Sequence, residues 1–130
     1  MKILLIYPSS RRSGFVTPPK NQSRAHRYPG MGLAMVAALT PPGNNISIID
    51  DERNSIPFDT HPDLVGISIL TPNAKRGYEI AERFRDKGVP VVLGGMHVTA
   101  CPEEASKNAD TIVIGEAEDT WPQLDRKSVV

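Results

Sequence analysis

Five short runs of apolar residues recur along the chain, and polar or turn-forming segments separate them. Within each run the apolar positions are mostly consecutive rather than alternating, which is typical of strands that are covered on both faces. The pattern therefore predicts five buried β-strands. They are KILLIY (2–7), ISIID (46–50), LVGISIL (64–70), VPVVLGG (89–95) and TIVIGE (111–116).

Helical patterns lie between most of these predicted strands. Thr71 and Pro72 predict the cap and first turn of one helix, and Gly88 predicts its end. Strands that alternate with helices indicate a parallel sheet with right-handed crossovers and helices on its faces. The predicted helical segments are GMGLAMVAAL (30–39), NAKRGYEIAERFRDKG (73–88), a helix opened by Pro102, and EDTWPQLD (118–125).

Length and composition narrow the range of functions. The 130 residues suit one domain, and 15 basic residues balance 15 acidic ones, so no net charge attracts nucleic acid or an anionic membrane. Cys101 is the only cysteine, which excludes an internal disulfide and a metal cluster held by several thiolates of this chain. A reducing cytoplasm is the expected compartment. The apolar run at the start is too short to span a membrane.

The carboxyl ends of the predicted strands are the place to look for a ligand site, because open parallel sheets bind ligands there. Ser68 ends the third strand, Gly94-Gly95 the fourth and Gly115-Glu116 the fifth. A glycine at a strand end either permits an unusual backbone conformation or leaves room for a close approach. With Ser68 and Gly115 at neighbouring ends, we interpret the glycine pair as the wall of a slot. On this interpretation Gly95→Val folds but excludes the ligand.

The connection from about residue 9 to 28 is unusually long for a compact domain, and such loops are commonly functional or disordered. Its charge suits a phosphate or carboxylate ligand, but a solvated loop accounts for the same residues, and both interpretations stay open. Its cations, with no acid among them, are Arg11, Arg12, Lys20, Arg24 and Arg27.

Four segments in register carry a resemblance to a known family. They are GMGLAMVAAL (30–39), DLVGISILT (63–71), VPVVLGGMHVTACPEEA (89–105) and ADTIVIGEAEDTWPQL (109–124). Together they resemble the amino-terminal cobalamin (vitamin B12)-binding domain of cobalamin-dependent radical S-adenosylmethionine (SAM) enzymes. The resemblance implies a three-layer α/β/α, flavodoxin-like (Rossmann-like) domain over residues 1–130, with a five-stranded parallel sheet in the order 2-1-3-4-5.

In that family, cobalamin binds with its dimethylbenzimidazole tail swung away from cobalt and inserted between strand ends. No Asp-x-His-x-x-Gly motif follows the first strand here, where PSSRRSG (8–14) stands instead. The resemblance therefore implies a base-off cobalamin without a histidine ligand from the protein. The cofactor-binding residues that it implies are Ser68, Leu70, Thr71, Gly94, Gly95, His97, Gly115 and Glu116.

The radical half of such enzymes holds a [4Fe–4S] cluster on three cysteines, which this chain does not have. The resemblance thus implies a fragment of a longer radical SAM protein, without the catalytic barrel and not catalytic alone. Its partner is the C-terminal radical SAM domain of the same parent chain. That parent uses SAM and the cluster, as a methyltransferase or an oxidoreductase.

Other functions for such a fold remain open. A flavodoxin-like domain that binds FMN or another nucleotide would use a hydroxyl-rich phosphate loop, for which Ser9, Ser10 and Ser13 are candidates. A dinucleotide site is less well matched, and Asp50 and Asp51 are interpreted as loop formers. A phosphoacceptor receiver domain needs acids after the first strand and an aspartate after the third, where this chain has Tyr7-Pro8 and Ser68. A ligand-free interaction domain is the remaining alternative.

Overall fold

A five-stranded parallel sheet forms the centre of the domain, with the strand order β2-β1-β3-β4-β5. The structure is a computed structural model, and it describes residues 1–10, 36–38 and 40–115. The predicted sheet and strand order are confirmed. The strands are β1 (Lys2–Tyr7), β2 (Asn45–Asp50), β3 (Leu64–Ser68), β4 (Val91–Gly94) and β5 (Thr111–Ile112), and the helices are α1 (Ala74–Asp86), α2 (Met96–Ala100) and α3 (Pro102–Ser106).

The sheet is covered on both faces at β1, β3 and β4, as the consecutive apolar runs predicted. The prediction of a buried strand is wrong for the edge strand β2, which has no buried residue and leaves Ile48 45% exposed. Alternate strand residues point to opposite faces, so each strand contributes to two separate clusters. On one face, α1 packs its buried Ile80 and Phe84 against strand residues such as Ile67. On the other face, the helical residues 36–38 supply Val36 and Ala37 to the cluster. We call these the α1 face and the opposite face.

The helix α1 follows its predicted course, but its start differs from the prediction. Residues Thr71–Asn73 form a 3-10 turn before the α-helix begins at Ala74. The predicted cap by the Thr71 side chain is not formed. Instead, the Asn73 side chain accepts a hydrogen bond from the Leu70 amide at 2.8 Å. The end is as predicted, because Gly88 has φ +79°, a conformation that favours glycine.

Two short helices follow β4. The prediction of a helix opened by Pro102 is confirmed by α3, which carries Glu103 and Glu104 in its first turn. The helix α2 was not predicted, and β5 covers only Thr111–Ile112 of the predicted run. The basic connection beyond residue 10 and the predicted helix at 118–125 lie outside the described residues.

In the part of the chain that the structure describes, no helix has the length and apolar character needed to cross a membrane.

Candidate functional site

The carboxyl edge of the sheet brings two of the predicted site residues side by side. Ser68 of β3 and Gly94 of β4 are direct partners in the parallel register. The Ile69 amide donates a hydrogen bond to the Gly94 carbonyl oxygen at 2.7 Å, which continues the pairing one residue beyond β3. Both residues are half-buried, so they border solvent at this edge.

A trough of small residues runs from this edge down the opposite face. Leu64 and Val92 lie in the cluster of that face, so the alternation of strand residues puts Gly66, Ser68 and Gly94 there as well. Gly66 is buried and pairs with Val92 in the register. We call Gly66, Ser68 and Gly94 the small-residue trough. None of the three has a side chain larger than that of serine, so the strands themselves place little side-chain volume at this part of the edge.

Gly66 was missed at the sequence level, although a glycine within an apolar strand is a known sign of a close approach. Gly94 was found, and the structure shows room around it. A Cβ atom on Gly94 would lie 3.7 Å from the Cβ of Val113, which is ordinary van der Waals contact. Among the described residues, the contacts of Gly94 therefore do not explain why it has no side chain.

Gly95 differs from Gly94 because the protein's own backbone occupies the space beside it. Its φ is +109°, and a Cβ atom would lie 2.6 Å from the carbonyl oxygen of Ile69. The Ile69 carbonyl also accepts a hydrogen bond from the His97 amide at 3.1 Å. These contacts favour the turn interpretation of Gly95, so we now expect Gly95→Val to destabilise the fold rather than only exclude the ligand. A ligand contact by Gly95 stays a prediction.

The helix α2 links the fourth and fifth strand ends. The Gly115 amide donates a hydrogen bond to the Thr99 hydroxyl at 2.9 Å, and a Cβ atom on Gly115 would meet nothing within 4 Å. Two large apolar side chains are exposed here, Met96 by 77% and Ile114 by 56%. The edge therefore offers apolar surface next to open glycine backbone. The predicted site residue Glu116 lies outside the described residues.

His97 and Thr71, both predicted to contact a ligand, contact each other on the α1 side, and a ligand contact by either residue stays a prediction. The Thr71 hydroxyl lies 3.1 Å from His97 Nδ1, and Glu104 Oε2 lies 2.7 Å from His97 Nε2. The Tyr78 hydroxyl donates to the same Glu104 oxygen at 2.9 Å. Both ring nitrogens of His97 thus have partners within the protein. The structure does not bring this group into the trough.

The hydrogen bonds of this group shift two pKa values. Those from His97 and then Tyr78 lower the pKa of the Glu104 carboxyl group, because they favour its charged form. Burial, and then the hydrogen bond to Glu104, raises the pKa of Tyr78 above its usual value. Tyr78 therefore stays protonated at neutral pH and remains a hydrogen-bond donor.

A buried ion pair holds the carboxyl ends of β1 and β2 against α1. Arg76 donates from Nε to Asp51 Oδ2 at 2.8 Å and from Nη2 to Asp51 Oδ1 at 3.2 Å. The Ser9 amide donates to the same Oδ2 at 2.9 Å. Asp51 is 0% and Arg76 is 4% exposed. This placement supports the interpretation of Asp51 as a loop former.

The start of the connection after β1 is a poor phosphate site. The Ser9 hydroxyl donates to Glu52 Oε1 at 3.0 Å, and the Ser10 amide lies 3.3 Å from the same oxygen. A carboxylate so close to both serines repels a phosphate group. These contacts weigh against the FMN alternative at Ser9 and Ser10, whereas Ser13 lies outside the described residues.

Comparison with known families identifies this domain. A model of the B12 binding domain matches residues 21–125. The chain belongs to the B12-binding domain family. Family membership thus supports cobalamin binding by this chain.

The chain is similar in sequence to part of three longer curated proteins. Bacteriochlorophyllide d C-8(2)-methyltransferase of Chlorobaculum tepidum is 45% identical over 95 residues, covering 72% of this chain and 21% of that protein. The C-12(1)-methyltransferase of the same organism is 34% identical over 125 residues, with 95% and 26% covered. Hopanoid C-2 methylase of Rhodopseudomonas palustris is 31% identical over 132 residues, with 97% and 25% covered. The chain spans about a quarter of the length of these relatives.

A solved structure confirms the fold alone. The response regulator protein TrrA of Thermotoga maritima superposes with a TM-score of 0.63 at 18% identity, covering 99% of this chain and 98% of that one. In this chain β1 ends at Tyr7 and β3 at Ser68, so the acids expected of a phosphoacceptor are not at these strand ends. The shared architecture does not extend to that chemistry.

Proposed function

We propose that this chain is the cobalamin-binding domain of a longer cobalamin-dependent radical SAM methyltransferase. The observation that carries the proposal is the small-residue trough of Gly66, Ser68 and Gly94, at the carboxyl edge of a B12-binding domain. The relatives, of which this chain spans about a quarter, are named as methyltransferases and a methylase. Their names support a parent protein that transfers methyl groups. A following radical SAM domain with a [4Fe–4S] cluster and SAM is part of the same proposal.

The chain's own residues hold and orient the cofactor. Gly66 and Gly94 leave room for the nucleotide tail, and the Ser68 hydroxyl between them offers a hydrogen bond to its polar atoms. The exposed Met96 and Ile114 add apolar surface that keeps water from the edge. When bound, cobalamin supplies a cobalt centre that carries a methyl group. The domain's task is binding and positioning, whereas the reaction belongs to the parent.

Base-off binding without a histidine ligand is also part of the proposal. The described part of β1 and its continuation ends in Tyr7-Pro8-Ser9-Ser10, with no histidine. His97 is engaged by Thr71 and Glu104 on the α1 side. His61 precedes β3 and lies 3.3 Å from the Lys87 carbonyl oxygen, at the amino end of the sheet. Neither of the two described histidines lies in the trough, which supports base-off binding without a histidine ligand, whereas His26 lies outside the described residues.

Enlarging Gly94 tests the trough directly. We expect Gly94→Ala and Gly94→Val to weaken cobalamin binding in that order, by at least tenfold for valine, because each added methyl group fills space above the strand. Since Gly94 has no positive φ and room for a Cβ atom, both variants should keep their melting temperature within a few degrees. The measurement is the visible spectrum after mixing with hydroxocobalamin and removing unbound ligand.

Ser47→Val is the matched control for this experiment, because Ser47 is exposed on the edge strand β2, outside the trough. It adds the same kind of side chain to a strand and should bind cobalamin normally. A Gly94→Val protein that binds as tightly as the unmodified chain would contradict the proposed trough. An unmodified chain that binds no cobalamin at all would contradict the proposed function.

The coordination of cobalt is tested by electron paramagnetic resonance of the bound cobalamin in its Co(II) state. We expect no hyperfine splitting from an axial nitrogen, because neither dimethylbenzimidazole nor a histidine occupies that position. His97→Ala should leave the spectrum unchanged, since His97 faces Thr71 and Glu104. Nitrogen splitting that disappears in His97→Ala would instead identify His97 as the ligand.

A further inference from the structure

A second group of potential ligands lies on the α1 side of the sheet, away from the trough. One donor atom each from His97, Cys101 and Glu104 lies within 4.8 Å of the other two. The side chain of His97 is 11% exposed and that of Glu104 is 55% exposed, while Cys101 is half-buried. The group is therefore held by the protein on one side and open to solvent on the other.

The local sequence places these three side chains together. His97 and Cys101 are four residues apart, so one helical turn brings them to the same side, and the Cys101 amide donates to the His97 carbonyl oxygen at 2.8 Å. Pro102 then starts α3, and Glu104 in its first turn returns toward His97. The joint between two short helices thus presents an imidazole, a thiol and a carboxylate to one point.

Two further side chains orient these donors. With an ion bound, the Thr71 hydroxyl, 3.1 Å from His97 Nδ1, would accept a hydrogen bond from Nδ1–H, so that the lone pair of Nε2 is directed at the ion. The Tyr78 hydroxyl donates to Glu104 Oε2 at 2.9 Å. Histidine and carboxylate ligands of metal ions are commonly held by such outer hydrogen bonds. The trough needs none of these contacts.

We propose that His97, Cys101 and Glu104 bind a divalent cation of the zinc class. Imidazole nitrogen, thiolate sulfur and carboxylate oxygen are the donor types that Zn²⁺ takes, whereas Mg²⁺ and Ca²⁺ prefer oxygen alone. Bond lengths of about 2.0–2.3 Å put tetrahedral donors roughly 3.3–3.8 Å apart. The 2.7 Å contact of His97 Nε2 with Glu104 Oε2 must open by roughly 0.6 Å, and the donors that lie as far as 4.8 Å apart must approach by about 1 Å.

The ion would connect α2 to α3, and water would complete its coordination on the open side. The proposed ion site is distinct from the small-residue trough, because its ligands lie on the α1 side of the sheet. The competing explanation is that the same side chains only tie the helices together by hydrogen bonds. The two explanations differ in what the cysteine does.

Cobalt(II) ion is the probe for this site, because its bond to a thiolate gives a charge-transfer absorption. The full chain, free of cobalamin, treated with a chelator and kept reduced, is titrated with Co²⁺ and then with Zn²⁺. We expect one Co²⁺ per chain with a thiolate band, displacement by Zn²⁺, and no displacement by Mg²⁺. Cys101→Ser should abolish the band, and Glu104→Gln should weaken binding at least tenfold.

Glu103→Gln and His61→Gln are the matched controls, since Glu103 is the neighbouring exposed acid and His61 lies at the other end of the sheet. Both should bind Co²⁺ like the unmodified chain. Tyr78→Phe keeps all three ligands and should weaken binding severalfold through the loss of its hydrogen bond. Circular dichroism of each variant verifies that it is folded.

Three results would overturn the proposal. They are the absence of a thiolate band in the unmodified chain, an unchanged band in folded Glu104→Gln, and one ion per two chains, which would indicate a bridge between surfaces. Because the titration contains no cobalamin, its outcome is independent of the proposed cofactor function.

Discussion

Gly95→Ala lowers the free energy of unfolding by about 3–5 kcal/mol, as we expect from two effects at the same residue. With φ +109° and ψ 179°, Gly95 lies in a backbone region that is essentially restricted to glycine. In addition, the new Cβ atom would lie 2.6 Å from the Ile69 carbonyl oxygen and 2.9 Å from the Ile69 nitrogen. Because both are backbone atoms, no side-chain rotation relieves the clash. Chemical denaturation followed by circular dichroism measures the loss.

Gly43→Ala separates the two effects, because Gly43 also has a positive φ of 95° but no atom within 4 Å of a built Cβ atom. Gly43→Ala should lower the free energy of unfolding by about 1–2 kcal/mol, through the strained backbone conformation alone. If Gly95→Ala and Gly43→Ala cost the same, the close approach of Ile69 does not contribute. If Gly95→Ala costs less than about 1 kcal/mol, the strained turn itself is contradicted.

Arg76→Met lowers the free energy of unfolding by about 3–5 kcal/mol, the usual effect of removing one partner of a buried ion pair. Asp51 is fully buried, and it keeps the hydrogen bond from the Ser9 amide at 2.9 Å in this variant. A neutral amide does not offset the negative charge of the carboxylate as a guanidinium group does. The loss therefore comes mainly from removing the guanidinium charge beside a buried carboxylate. Urea denaturation at neutral pH measures it.

Two further variants test this explanation. Arg85→Met removes an exposed pair, in which Arg85 Nε lies 3.7 Å from Asp110 Oδ2 and the side chains are 37% and 46% exposed. It should cost less than about 1 kcal/mol. Adding Asp51→Asn to Arg76→Met should recover part of the stability, because the amide still accepts from Ser9 but carries no charge. A double variant no more stable than Arg76→Met would contradict the explanation.

The ion pair also matters for the site, because it joins three elements at the edge where the ligand is expected. Asp51 follows β2, Ser9 follows β1 and Arg76 belongs to α1. The Asn73 side chain adds a hydrogen bond to the Pro8 carbonyl oxygen at 3.1 Å. Loss of the Asp51–Arg76 ion pair should therefore loosen the start of the connection after β1 before it affects β3 and β4.

The sequence by itself determined the class of fold and the edge of the sheet at which we propose the site. Consecutive apolar runs separated by helical patterns have few solutions other than a parallel sheet covered on both faces, and β1 spans the predicted run Lys2–Tyr7. The strand order and the cofactor came from the resemblance, which family membership confirms. Ser68 and Gly94 could be found because strand ends are local features of the sequence.

Only the tertiary structure decided which face each candidate residue serves. Gly94 and Gly95 are adjacent in sequence, yet a Cβ atom would fit on Gly94 and would clash with the Ile69 backbone on Gly95. They differ because Gly94 belongs to a strand, whose residues point to alternate faces, whereas Gly95 belongs to the turn that follows. The helix α2 was missed because its five residues follow a turn whose conformation depends on that packing.

Long-range polar partners were likewise beyond the sequence. Asp51 and Arg76 are 25 residues apart, and Tyr78 and Glu104 are 26 apart, so nothing local distinguishes them from solvated surface charges. His97 was assigned to the ligand because it follows the glycine pair, whereas its contacts are with Thr71 and Glu104. Such contacts form only when separate elements pack. Before that, each of these side chains makes its hydrogen bonds to water, and folding exchanges them for hydrogen bonds within the protein.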